Sequence, residues 1–199
     1  MFEFEVPTGD FDGYIFDCDG TLVDSMPAHY RAWIQALAEF GEPDIFPEEV
    51  FYGMGGVPTL EIVRELNTVH GINLDPVKVT TRKELLFDEL LANVQPIEKV
   101  VACARAVAAR RPVSVASGGH RDVVLRTLKL AGIYSLFPVV VAAEDVKRGK
   151  PAPDCFLLAA GRMGVQPKRC LVFEDGMKGI EAAHAAGMQT VLVRRRRTT

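Results

Sequence analysis

The chain has 199 residues, 48% of them hydrophobic and 25% charged, with a net charge of −3. That is an ordinary globular composition, long enough for one large domain or a domain with a modest insert, and its charge balance calls for no nucleic acid. No apolar run approaches a membrane span, and the acidic first ten residues, with Pro7 and Gly9, lack the basic start of a secretory signal, so a soluble cytoplasmic protein without a membrane partner is expected.

In chain order, the run Tyr14-Ile15-Phe16 reads as a buried strand that ends on Asp17-Cys18-Asp19-Gly20-Thr21. Apolar residues fill a sheet interior, so the first polar residues mark its edge. Asp17 and Asp19 therefore stand at the carboxyl end of a strand, where open α/β sheets bind ligands. Next, Met26 to Gly41 carries Ala28, Trp33, Ala36, Leu37 and Phe40 at helical spacing, with Pro27 in the first turn and Gly41 at the end. Trp33 is assigned to packing. Glu48 onward starts a short helix that stops at Gly53-Met54-Gly55-Gly56. Further helices are expected over Thr59 to His70, capped by Gly71, and from Asp75-Pro76 to about Leu91. Nothing from Met26 to Leu91 reads as a strand.

The pattern changes after Pro96. Helices over Ile97 to Arg110, Arg121 to Leu130, Asp154 to Met163 and Gly179 to Ala186 alternate with short apolar strands. The strands are Val113 to Ala116, Val139 to Ala142, Cys170 to Phe173 and Thr190 to Val193. That alternation predicts an α/β fold with parallel strands and helical crossovers, interrupted after its first strand by an all-helical insert. An insert starting just beyond the acidic pair is placed to close over it as a lid. The Arg194 to Arg197 run is expected to be a solvated tail. Cys18, Cys103, Cys155 and Cys170 form no CxxC pair and read as reduced thiols, Cys18 as buried filler.

Three polar motifs fall where later strands reach the same edge. Ser117-Gly118-Gly119 can present a hydroxyl and backbone N–H groups to an anion, although alone it also suits an ordinary strand-to-helix turn. Lys150 is held extended by Pro151. Glu174-Asp175-Gly176 ends a strand much as Asp17 ends the first. Asp17 and Asp175, with a carbonyl near Asp19, make an oxygen-only shell suited to Mg²⁺, and the absence of Cys and His from these motifs argues against zinc.

In order and content, DxDGT, Ser117, Lys150-Pro and Glu174-Asp175 resemble the four motifs of the haloacid dehalogenase-like phosphatases. The insert resembles the cap of the branch holding β-phosphoglucomutase and small sugar-phosphate phosphatases. The stretch from Val140 to Pro167, with FEDGMKGIEAAHAAGM, is most similar to bacterial phosphatases of fructose 1-phosphate and related sugars. The resemblance implies a Rossmann-like doubly wound core (1–25 and 92–199) and a helical cap (26–91). It implies a Mg²⁺-dependent phosphatase acting on a small phosphorylated metabolite. Asp17 would be nucleophile and Asp19 general acid and base. Ser117, Gly118 and Lys150 would hold phosphate, and Asp17, Asp19, Asp175 and Glu174 would hold or orient the metal. His29 matches a cap-hinge histidine, a helix-surface role being equally open, and Gly53 and Met54 are cap candidates for substrate contact. His120 is expected simply to begin its helix.

A phosphosugar mutase is the alternative reading. The loop Phe51 to Pro58 contains no Lys or Arg to hold a second phosphate, and Thr21 stands where an aliphatic residue is common, so hydrolysis is favoured. A non-catalytic phosphate- or metal-binding protein is the distant alternative. A monomer is expected, because no exposed apolar stripe calls for a partner.

Overall fold

The computed structural model describes residues 2–195. In chain order the elements are β1 (Phe2–Glu3), β2 (Gly13–Phe16), α1 (Met26–Glu39), α2 (Glu48–Gly53), α3 (Thr59–His70), α4 (Pro76–Leu90), α5 (Glu98–Ala108) and β3 (Val113–Ala116). They continue with α6 (Arg121–Leu130), β4 (Val139–Val141), α7 (Asp154–Met163), β5 (Cys170–Glu174), α8 (Met177–Ala185), β6 (Gln189–Leu192) and β7 (Arg194–Arg195).

Five strands form a parallel sheet in the order β4-β3-β2-β5-β6. The chain builds outward from β2 to one side, then returns to build on the other, so the order reverses beside β2. Strands of such a sheet are covered on both faces and read as apolar runs rather than alternations. Ile15 packs on one face with Phe156, Ala159, Ala160 and Val172. Phe16 packs on the other with Val100, Ala104, Val115, Leu128 and Phe173. Helices α7 and α8 thus cover the first face, and α5 and α6 the second. The expected doubly wound sheet is present, with edges shifted by one or two residues. All four cysteines are free, and Cys18 is fully buried. No helix among the described residues is long and apolar enough to cross a membrane.

Between β2 and β3 lie α1 to α4, which gather their own apolar cluster around Trp33, Leu37, Phe46, Phe51, Val63 and Leu66. Trp33 packs edge-on against Phe46. Asp75 caps α4 by accepting from the Val77 and Lys78 amides at 3.0 and 3.2 Å, which fixes its start where Asp75-Pro76 predicts it. The outgoing and returning linkers run side by side, the Asp24 amide donating to the Gln95 carbonyl and the Ile97 amide to the Leu22 carbonyl, each at 2.8 Å.

One expectation is corrected. Arg194 and Arg195 are not part of a free tail: they form β7, paired antiparallel with β1 in the register Phe2↔Arg195 and Glu3↔Arg194. Strands of two residues carry no periodicity, so neither was legible in sequence. The remaining arginines of that run, Arg196 and Arg197, lie outside the described residues.

Phe16 is fully buried and stacks on Phe173 at 4.7 Å between centroids, tying the two strands that carry the acidic motifs. Phe16→Ala should cost about 3–5 kcal/mol in urea denaturation. A loss below about 1 kcal/mol would mean that the space collapses around the smaller side chain.

Candidate active site

Where β2 and β5 leave the sheet, they deliver Asp17, Glu174 and Asp175 to one crevice. It is the crevice at which strand order reverses, the place where such sheets bind ligands. One oxygen from each of the three carboxylates lies within 4.8 Å of the others. Lys150, from the loop before α7, enters between two of them. Its Nζ donates to Asp17 Oδ1 and to Glu174 Oε1, both at 2.6 Å, and its side chain is 1% exposed. Glu174 Oε2 accepts from the Gly176 amide at 2.7 Å, so both its oxygens are engaged by the protein.

Two glycines make this packing possible. Gly20 has φ +84°, and a Cβ there would collide with the Asp175 carboxylate. A Cβ on Gly179, in the first turn of α8, would collide with the Glu174 carboxylate. Only a residue without a side chain lets helix and turn approach the acids so closely.

The electrostatics follow from burial. Burial pushes the Asp17 carboxyl up to about 7, Lys150 pulling against that rise and Glu174 adding to it. Burial likewise lifts Asp175 well above the carboxylate range, helped by Glu174 and Asp17. Burial acts to strip the Lys150 ammonium of its proton, but Asp17 and Glu174 outweigh it and hold the group well above its usual range. One lysine thus faces three clustered acids, of which Asp17 and Glu174 are buried and Asp175 is partly exposed. The excess negative charge, presented entirely through carboxylate oxygens, fits a hard divalent cation.

Asp19 behaves differently. Its Oδ1 accepts from Ser25 Oγ at 2.5 Å and lies 3.3 Å from His29 Nε2. Burial raises Asp19, but the bonds from His29 and Ser25 prevail and hold it below the ordinary range, as a carboxylate. His29 is stacked on Phe87 at 3.7 Å, and its Nδ1 lies 2.9 Å from Lys83 Nζ. Burial, and then the Lys83 charge, push the imidazole down. An ammonium only donates, so Nδ1 must accept, which places the ring proton on Nε2, toward Asp19. His29 is therefore inside the crevice rather than on a helix surface.

Ser117 is buried at the end of β3, where its Oγ accepts from the Gly119 amide at 3.0 Å. Gly118 lies under the insert: a Cβ on it would stand 3.4 Å from the Gly56 carbonyl oxygen. A Cβ on Gly176 would stand 3.2 Å from the Gly55 carbonyl oxygen, and one on Gly56 would stand 3.4 Å from Lys150 Cδ. The insert thus meets the crevice through Gly55 and Gly56. Gly53 ends α2, and Met54, 8% exposed, turns into the insert's own apolar cluster. His120 begins α6, and its Nδ1 lies 2.8 Å from Glu144.

Sequence reading missed Ser25 and Lys83. Ser25 precedes α1 but makes no side-chain cap; its hydroxyl is committed to Asp19. Lys83 is 3% exposed and hydrogen-bonds Glu84 Oε1 at 3.0 Å as well as His29. A signal was available: Lys83 falls on the stripe Val79-Lys83-Leu86-Phe87, a lysine at an apolar position of a helix.

Replacing Lys150 by Met leaves Asp17 and Glu174 facing each other without a cation. Lys150→Met should lose about 3–5 kcal/mol at neutral pH in the presence of a chelator, measured by urea unfolding. With Lys150 gone, the charge that pulls the Asp17 carboxyl down is lost, so that carboxyl sits above its unfolded value and the native state binds the extra proton. Stability of the variant should therefore recover as pH falls from neutral toward the ordinary carboxylate range. A loss that instead deepens on acidification would contradict this account of the buried charges.

A model of the haloacid dehalogenase-like hydrolase family matches residues 11–187. The chain is 40% identical over 186 residues to the fructose-1-phosphate phosphatase YqaB of Escherichia coli (strain K12), covering 92% of this chain and 97% of that protein. It is 32% identical over 183 residues to 6-phosphogluconate phosphatase of the same strain, covering 89% and 80%. Among solved structures, β-phosphoglucomutase from Clostridium difficile superposes with a TM-score of 0.77 over 90% of this chain and 83% of that one. At 22% identity it shares the fold. The strand-end acids, the lysine between them and these likenesses lead to one conclusion: the chain belongs to the haloacid dehalogenase-like hydrolases.

Proposed function

We propose that the protein is a Mg²⁺-dependent phosphatase of small sugar phosphates, with Asp17 as nucleophile. The observation that carries this reading is the buried Lys150 ammonium bonded to Asp17 beside Ser117. A carboxylate alone would repel a phosphate dianion. The same carboxylate, held by a cation at the foot of a hydroxyl-and-amide cradle, can approach one.

The substrate phosphate sits against Ser117 Oγ, the Gly118 amide and Lys150, with the Gly119 amide holding the Ser117 hydroxyl in place. Asp17 attacks phosphorus as the ester P–O bond breaks, giving an aspartyl-phosphate and an alcohol. Asp19 delivers the proton to the departing oxygen. It rests as a carboxylate, so that proton arrives with the substrate, whose monoanion carries one. In the second half, Asp19 takes a proton from water as the water attacks the aspartyl-phosphate and releases Asp17. His29 Nε2–H and Ser25 hold Asp19 in place for both transfers. Asp17 and Asp175 would hold Mg²⁺, with Glu174 behind them fixing Lys150 and the Gly176 turn. When bound, the ion supplies positive charge opposite the phosphoryl oxygens.

We read residues 26–91 as a cap that covers this crevice and the remainder as the catalytic core, an assignment supported by the insert's separate apolar cluster and paired linkers. The loop over the crevice is Gly55-Gly56, which offers a leaving group no charged side chain. That favours hydrolysis of a neutral sugar phosphate, and the likeness to a fructose-1-phosphate phosphatase makes this ester the first to try.

The test is phosphate release from fructose 1-phosphate, 6-phosphogluconate, glucose 6-phosphate and β-glucose 1-phosphate, with Mg²⁺ and with EDTA. Metal-dependent release from fructose 1-phosphate is expected. Asp17→Asn should abolish it, and Asp19→Asn should lower it roughly 10²- to 10⁴-fold. Glucose 6-phosphate formed from β-glucose 1-phosphate with little free phosphate would identify a mutase instead. Turnover retained by Asp17→Asn would end the aspartyl-phosphate mechanism.

A further inference from the structure

An open cleft of about 800 Å³ runs along the seam between insert and sheet, with Gly20 and Asp175 at its inner end and Tyr52 and Arg195 among its lining residues. Arg195 reaches three separate parts of the chain. Its strand, β7, is paired with β1, and its guanidinium lies over the Phe2 ring at 5.9 Å. Its Nη2 is 3.2 Å from Asp24 Oδ2, on the outgoing linker. Its charge also acts on the Tyr52 hydroxyl of α2, which lines the same cleft. Tyr52 in turn packs on Phe51 in the insert's cluster and accepts, through its carbonyl, the Gly55 amide at 3.4 Å.

We infer that Arg195 is a positioning residue that holds α2, and with it the Gly55–Gly56 loop, down on the Asp17–Lys150 site. This inference rests on the phosphatase reading above and on the insert acting as its cap. Three observations support it. The guanidinium is paired with Asp24 of the linker while it faces Tyr52 of α2 across the cleft, and a planar fork spans two such partners better than a single ammonium. Its anchor, β7 on β1, follows directly on β6 and belongs to the sheet side of the seam. Tyr52 lies on α2, beyond the linker that Asp24 fixes, so the two contacts together oppose rotation of the insert. The Arg195 side chain is 42% exposed, so its bonds are weak and salt-sensitive, as a latch that must open in every turnover requires.

The experiment compares Arg195→Ala, Arg195→Lys and Tyr52→Phe with wild type by native-state hydrogen exchange of residues 51–58. The same proteins are then assayed on fructose 1-phosphate. In Arg195→Ala and Tyr52→Phe the loop amides should exchange about three- to fivefold faster, with exchange in β2 and β5 unchanged. KM should rise by a similar factor while kcat does not fall, since no group touching the reacting atoms is altered. Arg195→Lys should fall between Arg195→Ala and wild type. High salt should bring wild-type loop exchange toward that of Arg195→Ala. Unchanged loop exchange in both Arg195→Ala and Tyr52→Phe would overturn the inference, as would acceleration spread equally into β2 and β5. The exchange measurement needs no substrate, so it still decides on the latch if the wild-type protein releases no phosphate and the phosphatase reading fails.

Discussion

The structure depends on one buried contact, the Lys150 ammonium held between Asp17 and Glu174. Taking a lysine and two carboxylates out of water is expensive, and the arrangement persists only because each hydrogen-bonds a partner of opposite sign. Much else follows from it. Asp17 and Glu174 must leave adjacent strands at the same level, which the parallel register of β2 and β5 provides through Phe16↔Phe173. Helix α8 must pass so close to Glu174 that only Gly179 fits, and the turn after Asp19 must leave Asp175 room, which Gly20 gives. The same contact leaves a surplus of buried carboxylate beside the lysine, and that surplus is what suits the crevice to a divalent cation.

The second polar group is assembled from both sides of the seam. Asp19 comes from the loop after β2, whereas His29 and Lys83 come from α1 and α4 of the insert. The chain Lys83–His29–Asp19 is complete only with the insert seated, and it fixes both the charge of Asp19 and the tautomer that faces it. In the proposed reaction, proton transfer and closure would share components: a displaced insert would take the His29 bond away from Asp19. Gly55 and Gly56 serve the same seating. Without side chains, their carbonyls come down onto Gly118 and Gly176.

Most of the sheet was legible because its strands are apolar runs closed by polar motifs. Asp17, Ser117, Lys150, Glu174 and Asp175 could be named before any coordinates, since each stands where such a run ends or where proline stiffens a loop. What escaped were groups whose importance comes from tertiary contact. Ser25 has the look of a helix cap and is drawn away by Asp19. Lys83 resembles a surface charge until its place on an apolar stripe is counted. Arg195 belongs to a two-residue strand whose partner lies at the other end of the described chain, and no local pattern marks it. Met54, which looked available among glycines, is pulled inward because an unbranched apolar side chain fills the insert's cluster better than it suits the crevice.

The paired linkers have a consequence for how such a chain folds. β2 and β3 are neighbours in the sheet although the whole insert separates them in sequence, and a flexible loop of that length would pay its closure entropy when they pair. Asp24 and Gln95 are already hydrogen-bonded where the insert begins and ends. Once its helices pack on one another, the insert returns the chain to within a peptide's width of where it departed. For the sheet, the effective connection is then a short bridge. The parallel core thereby avoids much of the penalty that long-range topology imposes on folding rate.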